Sequence, residues 1–294
     1  MCFFAAKFGI YYHFGDNLMM NLYIIWDINP EIIADTPFRY YGLLFIGGIV
    51  LAGWVLKGML RGTPLTVEDL QRFSIFAVVG VFVGARLGHC LFYEPAYFLQ
   101  RPLELFFPIA RGADGAYHFV GYQGLASHGG VIGMMVALLL YARTARQNFL
   151  YTLDMVAVVA PLTGCFIRLA NLMNSEIIGY PTHVPWAFVF VREDNLPRHP
   201  AQLYESLIYL AFFLVNLFYL YRRNRAMTGT GFFTGWTLIL VFTARFFIEF
   251  LKERQVAFEN RMTFDMGQWL SIPFIITGIV LVVLAVRKTT QQAG

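Results

Sequence analysis

Seven stretches of the chain are apolar for long enough to be read as bilayer-crossing helices, each of which takes about 20 mostly apolar residues. They fall at about residues 41–60, 74–93, 125–142, 150–169, 202–221, 231–251 and 267–286. Glycines and Pro161 interrupt the third and fourth, the least regular of the set. Two kinds of connection alternate between them. One kind is short and basic, carrying Lys57, Arg61 and Arg72, then Arg143 and Arg146, then Arg222, Arg223 and Arg225, then Arg287 and Lys288. The other kind (1–40, 94–124, 170–201 and 252–266) is longer and mixes bases with acids such as Asp27, Glu94, Glu193 and Asp265. The positive-inside rule assigns the first kind to the cytoplasm. The N-terminus is then outside and the C-terminus cytoplasmic, as an odd number of crossings requires.

The predicted fold is an all-α polytopic membrane protein of about seven transmembrane helices, with small periplasmic elements. Insertions at about 94–124 and 170–201 are too long to be turns, and "VPWAFVFV" (184–191) reads as a short strand or extended segment. Tyr93, Tyr97, Tyr122, Trp186 and Trp269 suit an interfacial aromatic belt. Residues 1–25 read as an N-terminal extension and lead-in, non-native before Met19, and 26–294 as one transmembrane domain.

Composition agrees. Of 294 residues 58% are hydrophobic and 14% charged, against about 25% charged in soluble domains. The net charge of +4 sits in short clusters between apolar runs, a distribution that argues against a nucleic-acid partner. Cys2, Cys90 and Cys165 form no C-x-x-C pair, so neither a disulfide framework nor a zinc site is expected. Cys90 and Cys165 read as small buried residues.

The costly polar groups within the spans gather toward the outer ends, and the inner half looks nearly bare. Tyr41 opens the first span, Arg86 lies in the outer part of the second, and His128 sits at the start of the third in "SHGG". Arg168 and Asn171 close the fourth; Arg198, His199, Gln202 and Glu205 surround the start of the fifth; Arg245 and Glu249 lie in the outer part of the sixth. An arginine in a span costs a few kcal/mol and defaults to a functional hypothesis. The plainer alternative is that Arg86, Arg168 and Arg245 snorkel, or pair with Glu176, Glu205 and Glu249 as structural glue. In "RHPAQLYE" (198–205), Pro200 suits a first helical position and Gln202 a cap. The glycines of "SHGG" admit a backbone or ligand close to the imidazole.

Arginines at one depth match a phosphate in a bidentate fork, and the anion available there is a phospholipid headgroup. A nearby histidine suits proton transfer. There is no G-x-S-x-G elbow and no dense aspartate cluster for Mg²⁺; no metal and no cofactor is expected. A transporter or sensor of an anionic lipid is the alternative, and it calls for polar groups continuing to the inner side or for paired broken helices.

These residues lie in a series of motifs, "RYYGLLF" (39–45), "GARLGHCLFY" (84–93), "SHGGVIG" (127–133), "RLANLMNSEIIGYPT" (168–182), "RHPAQLYE" (198–205), "ARFFIEFLK" (244–252) and "MGQWLSIP" (266–273). In this order they resemble the prolipoprotein diacylglyceryl transferase family of bacterial inner membranes. The resemblance implies transfer of a diacylglyceryl group from phosphatidylglycerol to the lipobox cysteine of a preprolipoprotein, forming a thioether and releasing glycerol phosphate. It implies roles for Tyr41, His128, Arg168, Asn171, Glu176, Gly179, Arg245 and Glu249. The expected catalytic set is His128, Arg168, Arg245 and Tyr41; the expected substrate-binding set is Asn171, Glu176, Gly179, Glu249 and Arg86. The family often has glycine where this chain has Ile167, Ala170 and Ser175, and some members have tyrosine at the position of Val241. In the implied mechanism Arg168 and Arg245 hold the phosphate, His128 takes the thiol proton or orients the glycerol, and Gly179 lets the chain turn. Glu176 reaches the arginine wall only if the fourth helix ends near Ser175.

Overall fold

The structure is a computed structural model that describes residues 23–33, 38–107, 109–112, 115–119, 126–254 and 262–293. The proposed extension before Met19 and Tyr122 of the aromatic belt lie outside the described residues. In chain order the elements are β1 (Ile24–Trp26), α1 (Tyr40–Met59), α2 (Val67–Phe92), α3 (Pro95–Gln100), α4 (Pro102–Phe106), β2 (Ile109–Arg111) and β3 (Tyr117–Phe119). There follow α5 (Ser127–Thr144), α6 (Phe149–Met173), β4 (Phe188–Phe190), β5 (Pro197–Arg198), α7 (Ala201–Leu214), α8 (Phe232–Ile248) and α9 (Met266–Ala293). A π-helical segment, Val215–Tyr221, continues α7, and a 3-10 turn, Glu249–Leu251, closes α8.

Six helices are long and apolar enough to cross a membrane, at Tyr40–Met59, Val67–Phe92, Phe149–Met173, Ala201–Tyr221, Phe232–Leu251 and Met266–Gln291, and a shorter apolar helix covers His128–Thr144. The chain is a multi-pass, mostly helical membrane protein of about seven spans. At 1.5 Å per residue, the 18 residues of α5 reach about 27 Å, just short of a 30 Å hydrocarbon core. Strand pairing supports its crossing. β1 pairs in parallel with β4, so an even number of crossings separates them, and α1, α2 and α6 alone would make an odd number.

The chain divides into two compact units, residues 57–153 and the remainder. In the smaller unit α2 and α5 touch backbone to backbone. A methyl group on Gly84 would lie 2.3 Å from the Gly129 carbonyl oxygen, and one on Gly133 would lie 2.0 Å from that of Gly80. Lipid supplies no hydrophobic drive between helices, so small residues that allow close contact are the source of association. The "SHGG" glycine Gly129 therefore admits α2. α2 starts in a capping box of Thr66 and Asp69. Arg86, buried on α2, donates to the carbonyls of Leu105 at 3.2 Å and Glu104 at 2.6 Å and lies 4.9 Å over the Phe98 ring. It thus fastens the α3–α4 insertion. Glu104 in turn accepts from the Tyr97 hydroxyl at 2.6 Å and the Arg111 amide at 3.1 Å. The Tyr97 hydrogen bond holds the Glu104 carboxyl below the usual carboxylate range.

In the larger unit the predicted interruption of the fourth span at Pro161 does not occur: α6 runs unbroken through it. A proline frees the carbonyl four residues back, here that of Ala157. The Thr237 hydroxyl of α8 donates to that oxygen at 2.9 Å and accepts from Asn216 at 2.9 Å. The inner half is also less bare than the sequence suggested. Asp154, fully buried near the start of α6, accepts from the amides of Gly229, Gly231 and Thr234 at 2.9, 3.0 and 2.9 Å and from the Thr234 hydroxyl at 2.7 Å. It satisfies the unpaired amides at the N-terminus of α8, where a negative charge is favoured. The sequence hides this role because the partners lie some 75 residues or more away.

The three-stranded sheet, in the order β1-β4-β5, packs on the C-terminal end of α6. Trp26, Leu172, Met173, Phe188 and Phe190 form its core, and the Trp26 indole donates to the Leu172 carbonyl at 2.9 Å. "VPWAFVFV" is a strand over its apolar centre, Phe188–Phe190.

Candidate active site

The site is built around the end of α6. The Ser175 amide donates to the Leu172 carbonyl at 3.1 Å and the Glu176 amide to the Asn171 carbonyl at 3.0 Å, with Ser175 left-handed at φ 58°. Those two bonds and that dihedral define a Schellman motif. Its left-handed position is usually glycine, and this chain puts serine there. Ile177 is also left-handed, at φ 59°, which a β-branched residue rarely adopts. The reversal brings Glu176 back over its own helix. Asn171 donates to one Glu176 oxygen and Asn174 to the other, both at 2.9 Å. Gln202 of α7 holds the turn by donating to the Glu176 carbonyl at 2.5 Å. Gln202 therefore secures the turn that follows α6, not the start of α7 as the sequence suggested, and Pro200 is the N-cap of α7, one residue before the predicted position.

Arg168 lies one turn back from Asn171 and donates to its side-chain oxygen at 3.4 Å. Its Nε stands 2.9 Å from Glu205 of α7, a fully buried carboxylate. The other Glu205 oxygen accepts from Lys252 at 3.1 Å and from the Tyr209 hydroxyl at 3.4 Å. Lys252 also donates to Glu249 at 3.0 Å. Tyr209 feels the charges of Glu205, Arg168 and Arg245 together, and Tyr41 those of Glu176 and Arg168. Five elements of the larger unit thus converge on one cluster of charge. In it Arg168 and Lys252 are neutralised by carboxylates. Arg245 is not: among the described residues it makes no ion pair or hydrogen bond, and its Nε is buried without a partner.

Gly179 is needed for a reason other than the turn expected of it. Its φ is not positive, but a methyl group there would lie 2.6 Å from the His199 carbonyl oxygen and 2.8 Å from that of Leu251. Three backbone segments cross at this residue. The Gly179 amide donates to His199 at 3.0 Å, the His199 amide to Tyr180 at 3.1 Å, and the Tyr180 amide to Leu251 at 2.9 Å. Arg198 locks the crossing through the Gly179 carbonyl at 3.1 Å, Glu253 at 2.9 Å and Asp194 at 2.5 Å. The Arg198 guanidinium holds the Asp194 carboxyl below the usual range, while burial lowers the His199 imidazole. Beside the crossing, a cavity of about 480 Å³ is lined by Ser175, Glu176, Ile177, Ile178, Glu193, Glu253 and Arg254. Glu176 therefore lines this cavity and reaches the charge cluster through Asn171.

Of the residues singled out from sequence, Tyr41, Arg168, Asn171, Glu176, Gly179, Arg245 and Glu249 all belong to the larger unit. His128 and Arg86 belong to the smaller one. His128 stands exposed in the first turn of α5, flanked by Phe92 and Tyr93 with ring centroids at 5.6 and 5.8 Å. Lys252 was missed, because a lysine at a span end reads as a snorkelling residue. Its one signal was the i,i+3 spacing to Glu249.

The fold and the site thus define a multi-pass membrane protein that buries an ion-pair network beside an arginine whose Nε has no partner among the described residues. Residues 30–284 match the family model described as prolipoprotein diacylglyceryl transferase. A phosphatidylglycerol–prolipoprotein diacylglyceryl transferase of Bacteroides fragilis is 48% identical over 279 residues, covering 94% of this chain and all of that protein. Proteins of the same name from Tolumonas auensis and Chloroherpeton thalassium are 42% and 38% identical, over 91% and 92% of this chain and 100% and 97% of their own lengths. The chain belongs to the prolipoprotein diacylglyceryl transferase family.

Proposed function

We propose that this protein transfers the diacylglyceryl group of phosphatidylglycerol to the lipobox cysteine of preprolipoproteins, at the outer face of a bacterial inner membrane. It needs no cofactor, metal or nucleic acid for this. Family membership supports the reaction, and the observation that carries the site assignment is the unpaired Arg245 beside the Arg168–Glu205 pair.

Arg245 receives the lipid phosphate, since no carboxylate among the described residues competes for its donors. Arg168, held by Glu205 and Asn171, presents its remaining N–H groups to the same anion. The substrate thiol loses its proton and attacks the glyceryl carbon bearing the phosphate ester, and His128 is the base that the family resemblance assigns to that proton. A sulfur–carbon bond forms, the carbon–oxygen bond breaks, and glycerol phosphate leaves with the electron pair. The charge growing on the leaving phosphate is what the two guanidiniums stabilise. Tyr41 bounds the lipid site, and the chelated Glu176 orients Asn171. Gly179 and Glu249 act through position, and Arg86 anchors its own insertion.

The test is incubation of the purified protein in phosphatidylglycerol nanodiscs with a lipobox peptide. A peptide mass gain of one diacylglyceryl group on sulfur, with equimolar glycerol phosphate, is expected. An acylated peptide, or none with folded protein, overturns the proposal. Near-normal turnover by His128→Gln would remove the histidine from the base role.

A further inference from the structure

The least expected feature of the charge cluster is the partner Glu249 has. On a regular helix Arg245 and Glu249, four residues apart, share a face and pair. Here the helix tightens to a 3-10 turn at Glu249–Leu251, and the Glu249 carboxylate bonds to Lys252 at 3.0 Å. It rests where a methyl group on Gly267 would lie 2.4 Å from its oxygen. Gly267 thus leaves the room that the carboxylate occupies. Lys252 is 95% buried as a side chain and reaches the two carboxylates Glu205 and Glu249 at once. Arg245, one helical turn from Glu249, is left with a buried Nε that has no partner among the described residues.

We propose that Lys252 is a positioning residue that sequesters Glu249 and so keeps Arg245 open for the lipid phosphate. This rests on the reading of the site as a phosphatidylglycerol site. The charge of the cluster follows the same logic. Arg168, Arg245 and Lys252 carry three positive charges against the two negative charges of Glu205 and Glu249, and the single excess matches a phosphodiester monoanion. Glu176 stands outside this count because it is exposed and held by two amides. Without the lysine charge the cluster is neutral, Glu249 is free to bind Arg245, and selection for an anionic headgroup falls. Without both Lys252 and Glu249 charges the excess returns and Arg245 is open again.

The test is a mutant cycle in nanodiscs, reading kcat and the KM in mole fraction of phosphatidylglycerol for wild type, Lys252→Gln, Lys252→Arg, Glu249→Gln and the Glu249→Gln/Lys252→Gln double variant. Pairing a desolvated arginine with a carboxylate is expected to raise the KM of Lys252→Gln at least about tenfold. Lys252→Arg, which retains the charge, stays within about threefold of wild type, and the double variant within about threefold of Glu249→Gln alone. An undiminished effect of Lys252→Gln in the Glu249→Gln background makes the lysine merely structural and overturns the proposal. So does a folded Lys252→Gln with wild-type KM. Where Lys252→Gln fails to fold, the comparison of the double variant with Glu249→Gln decides by the same threshold. Failure of wild type to modify the peptide is a separate result, against the functional reading itself.

Discussion

Gly179→Ala is a one-methyl change whose cost is set by three backbone segments. The new Cβ would lie 2.6 Å from both the His199 carbonyl oxygen and its Cβ, and 2.8 Å from the Leu251 carbonyl oxygen. Two of these three atoms are backbone, so no side-chain rotation relieves the contact. Restoring an ordinary separation moves the 176–180 segment by roughly 0.8 Å. A shift of that size stretches the 3.0 Å bond from Gly179 to His199 and the 2.9 Å bond from Tyr180 to Leu251 past hydrogen-bonding distance. Overpacking costs about 1–3 kcal/mol and each of the two lost bonds about 1 kcal/mol, so the total is on the order of 3–5 kcal/mol. At about 2–4 °C per kcal/mol for a chain of this size, the midpoint of heat inactivation in detergent should fall by roughly 6–20 °C. Gly53→Ala is the internal control, because a methyl group there meets nothing within 4 Å. Activity of Gly179→Ala should fall as well, since the shifted segment carries Glu176. If Gly179→Ala inactivates at the temperature of Gly53→Ala, the tight crossing is not real.

Three other outcomes follow from the same geometry. Ser175→Gly removes a left-handed serine and a buried hydroxyl without a partner, so it should raise thermal stability by about 1 kcal/mol, whereas Ser175→Val should lower it; equal midpoints for the two would refute the strain. Glu205→Gln leaves Arg168 and Lys252 without their shared carboxylate, and the loss of about 3–5 kcal/mol expected for one partner of a buried pair is read as folded yield and melting temperature. The Asp194 carboxyl, lowered by Arg198, adds stability that is present above the unfolded value near pH 4 and lost as pH falls through the lower folded value. Hydrogen exchange of residues 190–200 should accelerate in that acid window in wild type, and Asp194→Asn should abolish the pH dependence.

The spans and their ends were legible because lipid imposes length and apolarity on every crossing, and α1, α6 and α8 begin or end within a few residues of their expected limits. The convergence of Tyr41, Arg168, Asn171 and Glu176 was legible too, and the open point at Ser175 resolved as a helix end. What the sequence concealed was partnership. Arg168 and Glu205 lie on different helices, as do Asp154 and Thr234, and no local spacing joins them. The Arg245–Glu249 spacing suggested a pair, and the 3-10 turn with Lys252 gave Glu249 another partner. Pro161 looked like a break because its replacement hydrogen bond comes from Thr237, a residue on another helix.

The most direct measurement is kcat/KM for diacylglyceryl transfer by Arg245→Gln in phosphatidylglycerol nanodiscs, beside wild type of equal folded fraction. Loss of a donor aimed at the developing charge costs about 10²–10³ in rate, so a fall of at least a hundredfold, with glycerol phosphate release falling in step, is the expected result. A folded Arg245→Gln that retains a third or more of wild-type kcat/KM would contradict the assignment of the unpaired arginine to the lipid phosphate.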